Sequence, residues 1–473
     1  MNALLITLWE RTRKSYWFVP SLMALAAIAL SFLTTAIDSR IGSEWMEGIG
    51  MLYANKPAGA RAVLSTVAGS MITVAGVTFS MTILSISHTT SQVGPRLLNN
   101  FMGDKANQFT LGVFIATFLY CLMVLRTVRN AETTPADNSQ SAELVAAFVP
   151  QIAVIIGVMM AIASVGVLIF FIHHIPESIH VSNIVAGVGR GLNERIEKQF
   201  PARVGSPNDD ESQRNVEADL RDSFRENAKP IPSVSVGYVD YVDGDGLMQI
   251  AVEHDLVIRV LPSPGDFITE QSLLALVSPE SGIDDRVEKE VTSMFILGTQ
   301  RTATQDLRFQ IDQLVEVAMR ALSPGVNDPF TAFNCMDWVQ ACLENLASRE
   351  LPDAHRYDED QKLRVVAEPV TFAAFASLVF DQLRPYVAVD RNASVKLIEM
   401  IGNLVMNVED KQDRRILAKH ACALLRECRQ ALDDTRTLNA LRQRYRDVLR
   451  LASDVDARAD AKASGVWVGA AER

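Results

Sequence analysis

Four long apolar runs, all within the first 175 residues, constrain this chain more than any other feature. They lie at about 17–37 (WFVPSLMALAAIALSFLTTAI), 63–87 (VLSTVAGSMITVAGVTFSMTILSIS), 109–125 (FTLGVFIATFLYCLMVL) and 144–172, the last within an apolar stretch that reaches Ile175. A helix crosses the hydrocarbon core in about 20 residues. In lipid such a run must satisfy its own backbone groups, and a helix does so. The runs therefore predict a transmembrane domain over 1–175. The first run follows Arg11, Arg13 and Lys14, as a signal peptide would. Its length, its interfacial Trp17 and Phe18, the missing small-residue cleavage site and the later spans argue for a retained helix instead.

An even number of spans puts both termini on one side. Arg11, Arg13, Lys14, Arg96, Lys105, Arg190, Arg195 and Lys198 would share that side, against Arg40, Lys56, Arg61, Arg126 and Arg129 on the other. The excess marks the first side as cytoplasmic. The third run is short and aromatic, and suits lipid contact. The fourth has Pro150 near its start, where a proline costs least.

The second run has no charge and many small and hydroxyl residues. Thr66, Gly69, Thr73, Gly76 and Ser80 fall on one helix face. Small residues let helices approach closely, and hydroxyls line pores. These five are the candidate pore-lining residues, with His88 and Arg96 as the candidate cytoplasmic mouth, where Arg96 would favour anions. Asp, Glu, Lys and Arg occur only at the ends of the runs, whereas a proton-coupled carrier usually needs one inside. The expectation is a homo-oligomeric channel with a cytoplasmic regulatory domain. The rival is a membrane-anchored scaffold or signalling adapter.

Beyond the last run, His173, Glu177 and His180 would share a face if the helix survived Pro176, with His174 beside them. A metal- or proton-sensitive collar is one reading. Interfacial polar residues are the simpler one. A juxtamembrane helix is expected over 176–200, with Ile184, Val185, Val188, Leu192 and Ile196 at helical spacing.

The second half is charge-rich. A polar linker covers 201–230. Short Val- and Ile-rich stretches at 234–242, 256–261 and 273–277, separated by DGDG and PSPG, predict a small β module over 231–280. Leu247–His254 would add a turn or two of helix. DGDG lacks the spaced oxygens and terminal Glu of a calcium loop, and reads as a tight turn. The phrase PGDFITEQSLLALV resembles the half-repeat of lipoyl and biotinyl barrel-sandwich modules, but no lysine stands between Gly237 and Pro279 to carry a cofactor.

From 284 to 458 the pattern is helical, over 304–322, 371–384, 391–408 and 411–452, with a frayed tail at 459–473. The segment SPGVNDP reads as a helix–loop–helix corner, in which Asp328 caps the second helix and Pro329 opens it. Arg320, Ser323, Asn327 and Asp328 are candidates for coupling or contact there. Gln305 and Asp306 are further polar candidates grouped with this corner. No Ser–His–Asp set, phosphate loop or HExxH motif occurs, so no catalysis, cofactor or metal is expected.

The net charge of −11 argues against a nucleic-acid partner. The five cysteines include no CxxC pair and read as reduced, buried thiols.

FTLGVFIATFLY, SVGYVDYVDGDGL and VAMRALSPGVNDPFTAFNCMDWV together resemble the bacterial family of predicted membrane proteins of unknown function numbered 2254. The stretch 321–332 is the most specific part. The resemblance implies a bacterial inner-membrane protein with four N-terminal helices, and it transfers no catalytic residues.

Overall fold

The computed structural model describes residues 16–41, 57–94, 96, 104–130, 132–134, 143–145, 148–200, 224 and 227–464. Arg11, Arg13, Lys14, Lys56, nearly all of the 201–230 linker and the end of the tail lie outside the described residues. The chain forms two compact units, one ending at His180 and the next beginning at Val181.

The first unit is built from α1 (Phe18–Ile41), α2 (Pro57–Val93), α3 (Lys105–Thr127) and α4 (Gln151–Ile179), all long and apolar enough to cross a membrane. A pair of short antiparallel strands, β1 (Glu132–Thr134) and β2 (Glu143–Val145), stands between α3 and α4. The aromatic third span, expected to suit lipid contact, is the most buried of the four, with Phe109 and Leu122 left exposed. It is the centre of the bundle, packed on α1, α2 and α4, with Phe114, Tyr120, Cys121 and Val124 fully buried. Large rings fill the space between three neighbours better than aliphatic side chains do.

The last span begins at Gln151, with residues 143–145 in a strand. Proline disfavours helix in the residue before it, and Pro150 stands at the N-cap. At the other end the helix runs through Pro176 to Ile179. His173 and Glu177 do meet, at 3.5 Å on an exposed face. His174 turns instead to Asp104, with its Nε2 2.9 Å from Oδ2. Asp104 also caps α3, accepting from Ala106 N at 2.9 Å.

The second unit opens with α5 (Val181–Gln199), whose apolar face, Val185, Val188, Leu192 and Ile196, is buried. A five-stranded sheet follows the order β3 (Lys229–Pro232), β7 (Leu273–Ser278), β5 (Val257–Val260), β10 (Leu363–Val366), β9 (His355–Tyr357). All its pairs are antiparallel except β5 with β10. A second sheet has the order β6 (Phe267–Ile268), β4 (Gly237–Val242), β8 (Phe295–Gly298).

These sheets, with α6 (Gly244–Glu253) and α7 (Asp285–Ser293), enclose a core around Ile231, Val239, Leu247, Leu256, Ile258 and Leu274. Three strands come from beyond residue 280, so the stretch read as purely helical also completes the sheets. DGDG opens α6 rather than a bare turn, because Asp243 accepts from Gly246 N at 3.0 Å and caps the helix.

The helical layer holds α8 (Leu307–Ala321), α9 (Pro329–Ala347), α10 (Phe372–Val387), α11 (Arg391–Asn407), α12 (Lys411–Ala431), α13 (Thr435–Ser453) and α14 (Val455–Ser464). The expected single helix over 411–452 is broken at Leu432–Asp434. Asp434 caps the new helix through Thr437 N at 3.1 Å. The tail stays helical to Ser464. Cys335, Cys342 and Cys428 are buried in this layer, and burial pushes the Cys428 thiol up to about 11 and that of Cys342 to about 12. All five cysteines are free thiols.

Candidate functional site

The α2 helix carries two seams on opposite sides. Ala60, Leu64, Ala68, Met71, Ala75, Thr78 and Thr82 recur at three- and four-residue steps and are buried inside the bundle. The second seam, Thr66, Gly69, Thr73, Gly76 and Ser80, has the same spacing and is exposed. A Cβ at Gly69 or Gly76 would meet nothing within 4 Å. The hydroxyls of this seam turn back on their own helix: Thr66 to Ala62 O at 2.7 Å, Thr73 to Gly69 O at 2.9 Å, Ser80 to Gly76 O at 2.8 Å. The seam is thus a smooth groove with its polar groups already satisfied.

With 37 residues, α2 is about 55 Å long, well beyond a hydrocarbon core of about 30 Å. His88 lies in its last turns and Arg96 just past its end, both exposed.

At the end of the bundle where α4 begins, a polar knot holds the helices together. Asp38, 6% exposed, accepts from Ile152 N at 3.0 Å and Ala153 N at 2.9 Å, so α1 caps α4. Tyr120 Oη donates to Ala153 O at 3.1 Å and lies 3.0 Å from Thr34 Oγ1. Arg61 Nη2 donates to Val128 O at 2.9 Å. The signal available in the sequence was one carboxylate at the edge of an apolar run, where a partner is required.

The corner candidates stay together, but Gln305 and Asp306 do not join them. They stand at the start of α8 and the corner at its end, about 22 Å away for a helix of 15 residues. At the corner, Asp328 accepts from Thr331 N at 3.2 Å and Thr331 Oγ1 at 2.6 Å, and Ser323 Oγ donates to Arg320 O at 2.5 Å. Arg320 pairs with Glu316 at 3.1 Å. Asn327 adopts the left-handed backbone with φ of 50°, which asparagine tolerates better than most residues. Asp328, Ser323 and Arg320 are engaged in shaping the corner, and the side chains it presents outward include Val326 and Phe330, 50% and 78% exposed, and Asn327.

The other end of α8 borders a cleft that the sequence reading did not find. One chamber has a volume of about 920 Å³ and a second about 320 Å³. Both are bordered by Ser263, Pro264, Gln305, Arg308, Arg356 and Glu368. Gln305 clamps β4, with Val242 N donating to its Oε1 at 2.9 Å and its Nε2 donating to Val242 O at 3.1 Å.

Arg308 Nη2 donates to Pro264 O at 2.7 Å and Asp266 Oδ1 at 2.8 Å, fixing the PSPG loop. Gly265 has φ of 91°, and a Cβ there would stand 1.9 Å from Asp306 Oδ2, so no other residue fits. Asp306 is buried and pairs with Arg301 at 2.7 Å. Burial pushes its carboxyl above the usual range, partly offset by Arg301. Arg301 in turn holds Asp312 at 2.7 Å. The cleft wall is therefore rigid. Its residues were hidden because Arg259, Arg308 and Arg356 are scattered along the chain. Among the described residues, no three His, Cys, Asp or Glu side chains are placed to hold a metal ion.

Four membrane-length helices followed by a cleft-bearing α/β unit define a multi-pass membrane protein with a folded α/β domain. The chain belongs to the family described as "Predicted membrane protein (DUF2254)", whose model matches residues 13–403. It is 30% identical over 383 residues to the uncharacterized protein Rv1290c of Mycobacterium tuberculosis, covering 79% of this chain and 69% of that one. The uncharacterized protein Mb1321c of Mycobacterium bovis matches at the same identity and coverage. No solved structure matches the chain.

Proposed function

We propose that several copies of this protein assemble into an inner-membrane channel lined or closed by α2, with the soluble unit on the cytoplasmic side as its regulator. The observation that carries this reading is the second seam of α2. Its heptad spacing matches that of the buried seam, yet among the described residues no helix lies against it. Lipid does not require such a pattern of small residues, whereas close helix approach or a narrow pore does. An isologous or cyclic contact between copies would use it.

Arg96 beyond the end of α2 would then bias the mouth towards anions. In this reading the protein turns over no substrate and carries no cofactor. Phosphoester hydrolysis by the purified chain would break that part.

The test is current recording and flux from protein reconstituted in liposomes, with oligomers verified by crosslinking between Gly69→Cys copies. Gly76→Trp should change conductance severalfold, and Arg96→Glu should shift selectivity towards cations. Silence across voltage, tension and pH, with oligomers present, abandons the channel. It leaves the second reading, a membrane-anchored adapter, which the outward-facing Val326 and Phe330 at the corner favour.

A further inference from the structure

The cleft of the soluble unit carries chemistry that neither the seam nor the corner uses. Its larger chamber, about 920 Å³, matches the upper end of small-molecule sites. Three arginines border it, and they are not equivalent. Arg259 is balanced by Glu368 at 2.7 Å, and Arg308 by Asp266 at 2.8 Å. Arg356 borders both chambers and makes no ion pair among the described residues. The first turn of α10 opens on the same space, through Thr371 and Ala374. Its cap is the Thr371 hydroxyl, so no capping carboxylate offsets the positive end of that helix. Away from these donors, the larger chamber alone is bordered by Tyr241, Leu247, Met248 and Val260, a largely apolar wall with one ring, with Asp245 at its side.

We infer that this cleft binds an organic phosphate. The phosphoryl group sits where the two chambers meet, on Arg356 and on Nη1 of Arg308, whose Nη2 is taken by Pro264 O and Asp266, close to the start of α10. The organic body lies in the larger chamber against Tyr241 and Val260. A phosphoryl group offers three oxygens, for the Arg356 fork, the free Nη1 of Arg308 and the helix end, where a single carboxylate offers two. The smaller chamber is bordered by Gln199 and Phe200, at the end of α5. That helix follows the last membrane helix in sequence, after His180 alone. The binding claim stands without the channel reading and rests on it only for a consequence in the membrane.

Calorimetry on the full chain in mild detergent separates the two, because it needs no conductance. The probes are adenosine monophosphate and glucose 6-phosphate, with adenosine and glucose as unphosphorylated controls. At least one of the two phosphates should bind saturably and its control should not. Arg356→Glu should weaken that binding about tenfold or more, while Arg442→Glu, an equal charge change elsewhere, should leave it unchanged. Ala374→Trp, which fills the chamber without removing a charge, should weaken it as well. It serves as the reading if Arg356→Glu fails to fold. No saturable binding of either phosphate overturns the inference, as does binding that survives both cleft variants or that the control compounds reproduce.

Discussion

The two units meet the same demand, polar groups at helix ends and within helices, in different ways. In the soluble unit the solution is local. Seven helices, α6, α7, α8, α9, α11, α12 and α13, begin on an Asp whose carboxylate accepts from an N–H two or three residues on. In the membrane unit Asp104 caps α3 locally too, but the hydroxyls bond back to their own helix, and the first N–H groups of α4 are capped from α1 by Asp38. A local cap is written in neighbouring residues. A cap brought from 114 positions away exists only once the bundle has closed. Loss of the first weakens one helix end, while loss of the second leaves buried donors unpaired in a medium without water to replace them.

The largest effect tests packing rather than caps. A Cβ on Gly189 of α5 would stand 2.4 Å from the Trp338 ring of α9. Gly189→Leu should cost the soluble unit about 3 kcal/mol or more, read as a lowered thermal midpoint in detergent. An unchanged midpoint would mean that α5 is not seated there. Next comes Asp38→Ala, expected to cost about 2 kcal/mol, because two α4 N–H groups lose their acceptor. Steric trapping or denaturant unfolding of the membrane unit reads this. Asp38→Asn should recover part of it.

The matching soluble-unit change, Asp328→Ala, should cost only about 1 kcal/mol. If it costs as much as Asp38→Ala, the distinction between local and borrowed caps fails. Phe330→Ser beside it should leave the midpoint unchanged, since the ring is 78% exposed.

The smallest effect is a pH slope. His420 of α12 is held below its usual pKa by burial, opposed by Asp381 at 3.7 Å and reinforced by Arg384. The unfolded chain therefore takes up this proton before the folded one does. Stability should fall as pH drops through about 6.5 and level off below the folded value. His420→Gln should flatten that increment between about pH 7.5 and about pH 5.5. A slope of the opposite sign would show the Asp381 attraction winning. Asp306, raised by burial, contributes with the reverse sign at lower pH, where it gains its proton first in the folded state.

Much of the architecture was readable along the chain. Four apolar runs, the period of α5, the Asp–Pro start of α9 and the Val-rich strands are all local patterns. The readings that failed concern neighbours. The third run looks lipid-facing from its composition, but Phe114 and Tyr120 are buried at the bundle centre. The segment after 284 looks purely helical because β8, β9 and β10 have three or four residues each and gain their identity from strands elsewhere. Gln305 and Asp306 looked like part of the corner because they are near it in sequence, yet a helix separates near positions by its full length.

For this protein the sequence by itself determined where helices can cross lipid, that Asp328 caps α9, and that the α2 hydroxyls share a face. Hydrophobicity, helical period and capping act over a few residues, so they are legible there. Only the tertiary structure decided that this face is left open while its opposite is packed, that Asp38 serves another helix, and that Arg259, Arg308 and Arg356 border one cleft. Each of those depends on which distant segments come into contact, and chain closure rather than local preference sets that.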